Sequence, residues 1–208
     1  FNKTNPNIKV RVNLASSGKL TAQIKNNAPF DIFMSANMKY PNNLYKSGFA
    51  TTKPVIYAKG ALALLSSKKR DFTNNLAFLK EGEITKIAVA NPKTAPYGVA
   101  TIEALKTAKL YKSLKQKFVY GESISQTVTY SLLATDIGFI AKSSLYSSKM
   151  KRFKKGENWV DINPDLYTPI NQGVVVLKNA KDDAKLFYDF ILSKEAKKIF
   201  KEYGYLLP

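Results

Sequence analysis

The chain has 208 residues, 45% of them hydrophobic, which is enough for one large domain or two modest lobes with a sizeable core. It contains neither cysteine nor histidine, so thiolate and imidazole metal ligands are missing, as are the Cys and His nucleophiles and bases that most hydrolytic and zinc mechanisms need. The formal net charge of +18 points to an anionic partner, but the lysines are spread through segments such as "SSKKRD", "KTAKLYKSLKQK" and "KMKRFKK", a solvated surface rather than a nucleic-acid-binding face.

No stretch approaches the ~18 consecutive apolar residues of a membrane span. In chain order, "IKVRVNL" alternates, with Ile8, Val10, Val12 and Leu14 on one face, and predicts a half-buried strand. The rhythm changes at Ser16-Ser17-Gly18, where a helix carrying Leu20 and Ile24 begins. "APFDIFMSA" predicts a buried parallel strand, and "YPNNLYKSG" a helix stopped by Gly48. "PVIYAKGALALLSS" is two apolar runs split by Gly60. Then follow "KIAVA", a helix from Val99 to Ala108, "KFVY", a helix from Ile124 to Ala134, and "IGFIA". A basic connector containing Trp159 leads to "GVVVL" and to two helices, Asp182 to Leu192 and Lys194 to Tyr203, the last ended by Gly204. This alternation predicts an α/β protein with mostly parallel sheets covered by helices on both faces.

In such folds ligands bind beyond the carboxyl ends of strands, where loops enter helices. A helix start leaves unpaired N–H groups and a partial positive charge, so an anion can be held there without a formal cation. Ser16 and Ser17 add hydroxyl donors and Gly18 allows close backbone approach. Serine before a helix also serves simply as an N-cap. The arrangement recurs twice, in "AVANPKTAPYGVATIEAL", with Tyr97 at the helix mouth, and in "VYGESISQTVTYSLL", near Ser123 to Ser125. Three mouths rich in neutral donors describe a cage for an anion.

The blocks "SSGKLTAQIKNNAPFDIFMSANMKYPNNLYKSG", "ANPKTAPYGVATIEAL", "GESISQTVTYSLLATDIGFIAKSSL" and "FYDFILSKEAKKIFKEYGY" resemble, in order and over nearly the whole chain, the periplasmic molybdate-binding proteins of ABC transporters, the ModA family. The resemblance implies a two-lobed periplasmic binding protein of the type II solute-binding fold. Lobe 1 is expected from residues 1–58 plus 173–208 and lobe 2 from 59–172, with two crossing strands as the hinge, near Tyr57 to Gly60 and Thr168 to Asn171. It implies capture of molybdate or tungstate through neutral donors, with no cofactor, no metal coordinated by protein and no catalysis. The other expected partner is the membrane permease, the protein acting as a monomer without nucleic acid. By position Ser17 matches a donor serine, Tyr97 a backbone and sometimes hydroxyl donor, and Ile124 a backbone donor; Ser16 and Ser123 complete the candidate set. Where some members carry a further tyrosine this chain has Ala141, and that hydroxyl's task is expected to pass to Tyr97.

Family members begin with a strand, a serine-bearing loop and a helix, whereas "FNKTNPNIKV" resembles that helix's tail. Roughly 20 residues, about one mean strand plus one mean helix, are therefore expected upstream, together with an export signal. The competing expectations are another oxyanion or small solute on the same fold, and a basic nucleic-acid or surface-binding protein.

Overall fold

The computed structural model describes residues 1–208, apart from the side chain of Asn75. In chain order the elements are α1 (Ser17–Lys25), β1 (Ile32–Ser35), α2 (Lys39–Lys46), β2 (Val55–Gly60), β3 (Leu62–Leu65), β4 (Ile87–Ala90), α3 (Pro96–Thr107), α4 (Tyr111–Leu114), β5 (Phe118–Gly121), α5 (Ile124–Leu133), β6 (Ile137–Ala141), β7 (Trp159–Asp161), β8 (Ile170–Val176), α6 (Ala184–Leu192) and α7 (Lys194–Glu202), with short 3-10 turns between some of them.

The strands form two sheets, one three-stranded in the order β1-β8-β2 and one five-stranded in the order β5-β4-β6-β3-β7. Every pairing in the smaller sheet is antiparallel, as are β3–β6 and β3–β7, while β4–β5 and β4–β6 are parallel. The expectation of mostly parallel sheets is thus corrected: βαβ units form only where β4, α3, β5, α5 and β6 follow one another, and the remaining strands return through turns and crossings. "IFMS" in particular is an antiparallel strand with alternate burial rather than a buried parallel one.

Strand periodicity explains the layering. Alternate residues point to opposite faces, so Val175 and Leu177 pack with Ile24, Phe33 and Leu44 beneath α1 and α2, while Val174 packs with Tyr57, Ala58, Tyr188 and Ile191 beneath α6. In the larger sheet Leu62, Leu64 and Phe139 face Ala100, Ala104 and Leu105 of α3. Ala63, Leu65 and Ile140 face Val128 and Leu132 of α5 on the other side.

One predicted strand is absent. Residues 8–14 form no strand, and Val12 and Leu14 are 71% and 80% exposed. Alternation allows a strand, but only a paired backbone makes one, and residues 8–14 pair with neither edge of the β1-β8-β2 sheet. The reverse error occurs at β7, hidden in the basic connector, whose Trp159, Val160 and Asp161 pair with β3.

Asp136 clamps one end of the larger sheet. Its Oδ2 accepts from the N–H groups of Thr85 (2.8 Å) and Lys86 (2.9 Å) and from Thr85 Oγ1 (3.0 Å), while its carbonyl accepts from Ser66 Oγ (2.9 Å). Partial burial raises the carboxyl pKa, but those hydrogen bonds outweigh it and leave the pKa below its ordinary 3.8. A depressed folded pKa contributes stability above the unfolded value that is lost as pH falls through the folded one. Asp136→Asn is therefore expected to lower unfolding free energy at about pH 7 by roughly 1–2 kcal/mol, the low end for bonds to a partly solvated charge. The gap to wild type should close toward about pH 2 in urea titrations.

Candidate functional site

Three helix mouths carry the predicted residues, and each is built differently. At α1, Ser16 occupies the N-cap position in extended backbone (φ −62°, ψ 148°) yet makes no side-chain cap bond. Ser17 Oγ accepts from the Ala36 N–H at 3.1 Å, tying the helix start to the loop after β1. Both serines are only 6% exposed. At α3, Pro96 takes the first helical position, where its missing N–H costs nothing, and Tyr97 follows at 4% exposure. At α5, Ser123 is a true cap: its Oγ accepts from Gln126 N–H at 3.2 Å, and Gln126 Oε1 accepts from Glu122 N–H at 2.6 Å. The simple capping role thus holds for Ser123 and fails for Ser16.

The mouths converge. Gly18 N–H donates to the Thr94 carbonyl at 2.9 Å, joining α1 to the loop before α3, and Tyr40 Oη donates to the same oxygen at 3.4 Å. A Cβ on Gly18 would lie 2.9 Å from Tyr40 Oη and 3.0 Å from Thr94 O, so the approach requires glycine. Asn91 N–H donates to Gly121 O at 2.7 Å, joining the loop before α3 to the loop before α5. Ala36, held by Ser17, and Ile124 both pack against the cluster containing Tyr97 and Ala141. The N–H groups of Ser17, Tyr97 and Ile124 have no protein acceptor among the described residues. Lys19, in the first turn of α1, pairs loosely with Glu122 at 3.7 Å, both side chains well exposed. The geometry therefore offers an anion neutral hydroxyl and amide donors at helix starts. Among the described residues no group of His, Cys, Asp and Glu could hold a metal ion.

Sequence reasoning missed Gln172 and placed Tyr57 only at the hinge, without its partner. Gln172, 4% exposed, donates from Nε2 to Tyr97 Oη at 2.9 Å, and its Oε1 accepts from Tyr57 Oη at 2.6 Å. The run "GVVVL" begins one residue later, and nothing local marks Gln172 as a partner of a tyrosine 75 positions away.

The fold and the neutral donor set define a two-lobed solute-binding protein, and comparison with known proteins agrees. Residues 1–206 match the family model of the bacterial extracellular solute-binding proteins. Molybdate-binding protein ModA of Rhodobacter capsulatus is 36% identical over 196 residues, 91% of this chain and 74% of that protein. ModA of Azotobacter vinelandii is 35% identical over 203 residues, 95% and 79% of the two chains. The solved Azotobacter vinelandii periplasmic molybdate-binding protein superposes with a TM-score of 0.91 at 30% identity, covering 100% of this chain and 90% of that one. The chain belongs to the ModA family of bacterial extracellular solute-binding proteins. It is accordingly a binding protein rather than an enzyme, and among the described residues no helix is long and apolar enough to cross a membrane.

Burial pushes the hydroxyl pKa values of Tyr97 and Tyr57 well above their ordinary 10.0, with Tyr205 adding to the effect. Both stay neutral donors far into the alkaline range. In the unfolded chain they ionise near 10.0, so the unfolded state loses protons first and stability falls as pH rises above that value. The urea midpoint is expected to drop between about pH 9 and about pH 11, more shallowly in Tyr57→Phe than in wild type.

Proposed function

We propose that the cleft captures molybdate, with tungstate as a competing ligand, and that the closed form delivers it to the membrane permease of an ABC importer. The carrying observation is the convergence of three helix mouths whose Ser17, Tyr97 and Ile124 N–H groups lack protein acceptors, beside the hydroxyls of Ser16, Ser17 and Ser123. The relatives named for molybdate supply the identity of the anion. A tetrahedral dianion presents four oxygens, and hydrogen bonds to a charged acceptor contribute roughly 1.5–3 kcal/mol each, so several neutral donors support tight binding without a lysine in contact. Molybdate, tungstate and sulfate share charge and shape, so fixed donors sort them by radius.

In this reading residues 1–58 with 173–208 form one lobe and 59–172 the other, β2 and β8 crossing between them. Closure brings Gly18 against Thr94. An opening and closing pair of lobes around a fixed ligand is a hinge transition.

Titration calorimetry tests the proposal. Molybdate and tungstate should give heat and compete, whereas sulfate at comparable concentration should displace neither; retention of DNA without molybdate heat would sink the reading. Ser17→Ala removes a donor and is expected to weaken molybdate binding about tenfold or more. Gly18→Val, which blocks the Thr94 approach, should weaken it to a similar degree through faster dissociation. Because no histidine is present and Tyr97 stays protonated, affinity should be flat between about pH 6 and about pH 9.

A further inference from the structure

We propose that Gln172 is a positioning residue that holds the Tyr97 hydroxyl as a donor to the bound anion and couples that donor to the hinge through Tyr57. The inference rests on the oxyanion reading of the cleft and extends it to residues that do not touch the ligand.

The local geometry begins with a β-bulge. In the β2–β8 ladder Ile56 faces Gly173 and Ala58 faces Gln172, so Tyr57 is the extra residue on β2. A bulge re-aims a side chain relative to the regular pleat, and here the Tyr57 hydroxyl meets the Gln172 amide on the partner strand. The tyrosine ring lies in the core beneath α6 and packs against Phe200 of α7, centroids 5.3 Å apart. Tyr97 belongs to the core of the other lobe. Gln172 therefore bridges the two cores at the strand crossing. Gly60 leaves room for it, since a Cβ there would fall on Tyr97 Oη and lie 2.8 Å from Gln172 Nε2.

Hydrogen-bond direction gives the bridge its consequence. The 2.6 Å contact from Tyr57 Oη to Oε1 has the length of an O–H···O bond, and the 2.9 Å contact from Nε2 to Tyr97 Oη that of an N–H···O bond. With the amide in this sense, Tyr97 accepts from Gln172 and its own proton remains to be donated elsewhere. With the amide reversed, Tyr97 would donate to Oε1 and have no proton left for an anion. The short Tyr57 contact, at an O–H···O length, puts Oε1 on the Tyr57 side and so favours the productive sense, and successive hydrogen bonds of one direction polarise one another. A change in the β2–β8 crossing that separates Tyr57 from Gln172 frees the amide to turn and withdraws the donor, so hinge state and anion affinity become linked.

The test is a double-mutant cycle by molybdate calorimetry on the full chain, with ligand-free melting temperatures recorded alongside. Gln172→Met keeps side-chain length and removes both polar groups; it is expected to weaken binding about five- to tenfold in the wild-type background and less than about twofold in Tyr97→Phe. Tyr57→Phe provides an independent route if Gln172→Met folds poorly, with a smaller loss, about two- to fivefold, that also vanishes in Tyr97→Phe. Equal losses in both backgrounds would mean a general effect on the hinge and overturn the inference, as would full affinity in Gln172→Met and Tyr57→Phe. If wild type binds molybdate and Tyr97→Phe binds it equally well, the relay falls while the oxyanion reading stands. If wild type gives no molybdate heat, the oxyanion reading itself fails and the relay with it.

Discussion

The pairing of β2 with β8 is the constraint on which the rest of the molecule depends. The two strands cross between the sheets, with Val55 opposite Val174 at one end and Gly60 opposite Ile170 at the other. Their residues serve different cores along one short ladder: Ala58 and Val174 belong beneath α6, while Ile170 belongs with α3 and the larger sheet. Burial of Tyr57 and Ala58 on β2 and of Ile170 and Val174 on β8 fixes the register, because a one-residue slip would turn each side chain to the wrong face. The C-terminal tail adds a further restraint where Leu206 and Lys59 exchange backbone hydrogen bonds at 2.7 and 2.9 Å.

Charge plays a smaller part at the cleft than the composition suggests. The net charge of +18 belongs mostly to exposed lysines, and exposed ion pairs such as Lys19 with Glu122 contribute little. Such charge raises encounter rates with an anion and is screened by salt. The groups at the three mouths are uncharged amide N–H groups at helix starts and serine hydroxyls. Neutral donors of fixed position read size and shape, whereas a flexible lysine would accept any anion.

Relatives and geometry supply complementary parts of the picture. Identities of 36% and 35% over nine-tenths or more of the chain place it in the ModA family. The structure adds how this chain's own residues meet: Ser17 committed to Ala36, Ser123 to Gln126, and Tyr97 to Gln172. These commitments leave particular protons and N–H groups free, and it is the free ones that can serve a ligand.

The sequence by itself determined most elements and the three mouths, because those signals are local: continuous apolar runs at Leu62–Leu65 and Ile137–Ala141, glycine stops at Gly48 and Gly204 with φ of 74° at each, and serines ahead of helices. It could not decide pairing. The alternation at Ile8 to Leu14 was as clear as any strand signal and yields none, while the inconspicuous Trp159–Asp161 forms a strand, because hydrogen bonds across a ladder come from residues far away in the chain. Strand direction was hidden for the same reason, and the sheets proved mixed. The tertiary structure alone decided that Ser123 caps while Ser16 does not, and that Tyr57, Gln172 and Tyr97 form one chain of hydrogen bonds. A bulge and a strand crossing bring those three together, and neither leaves a periodic trace in the order of the amino acids.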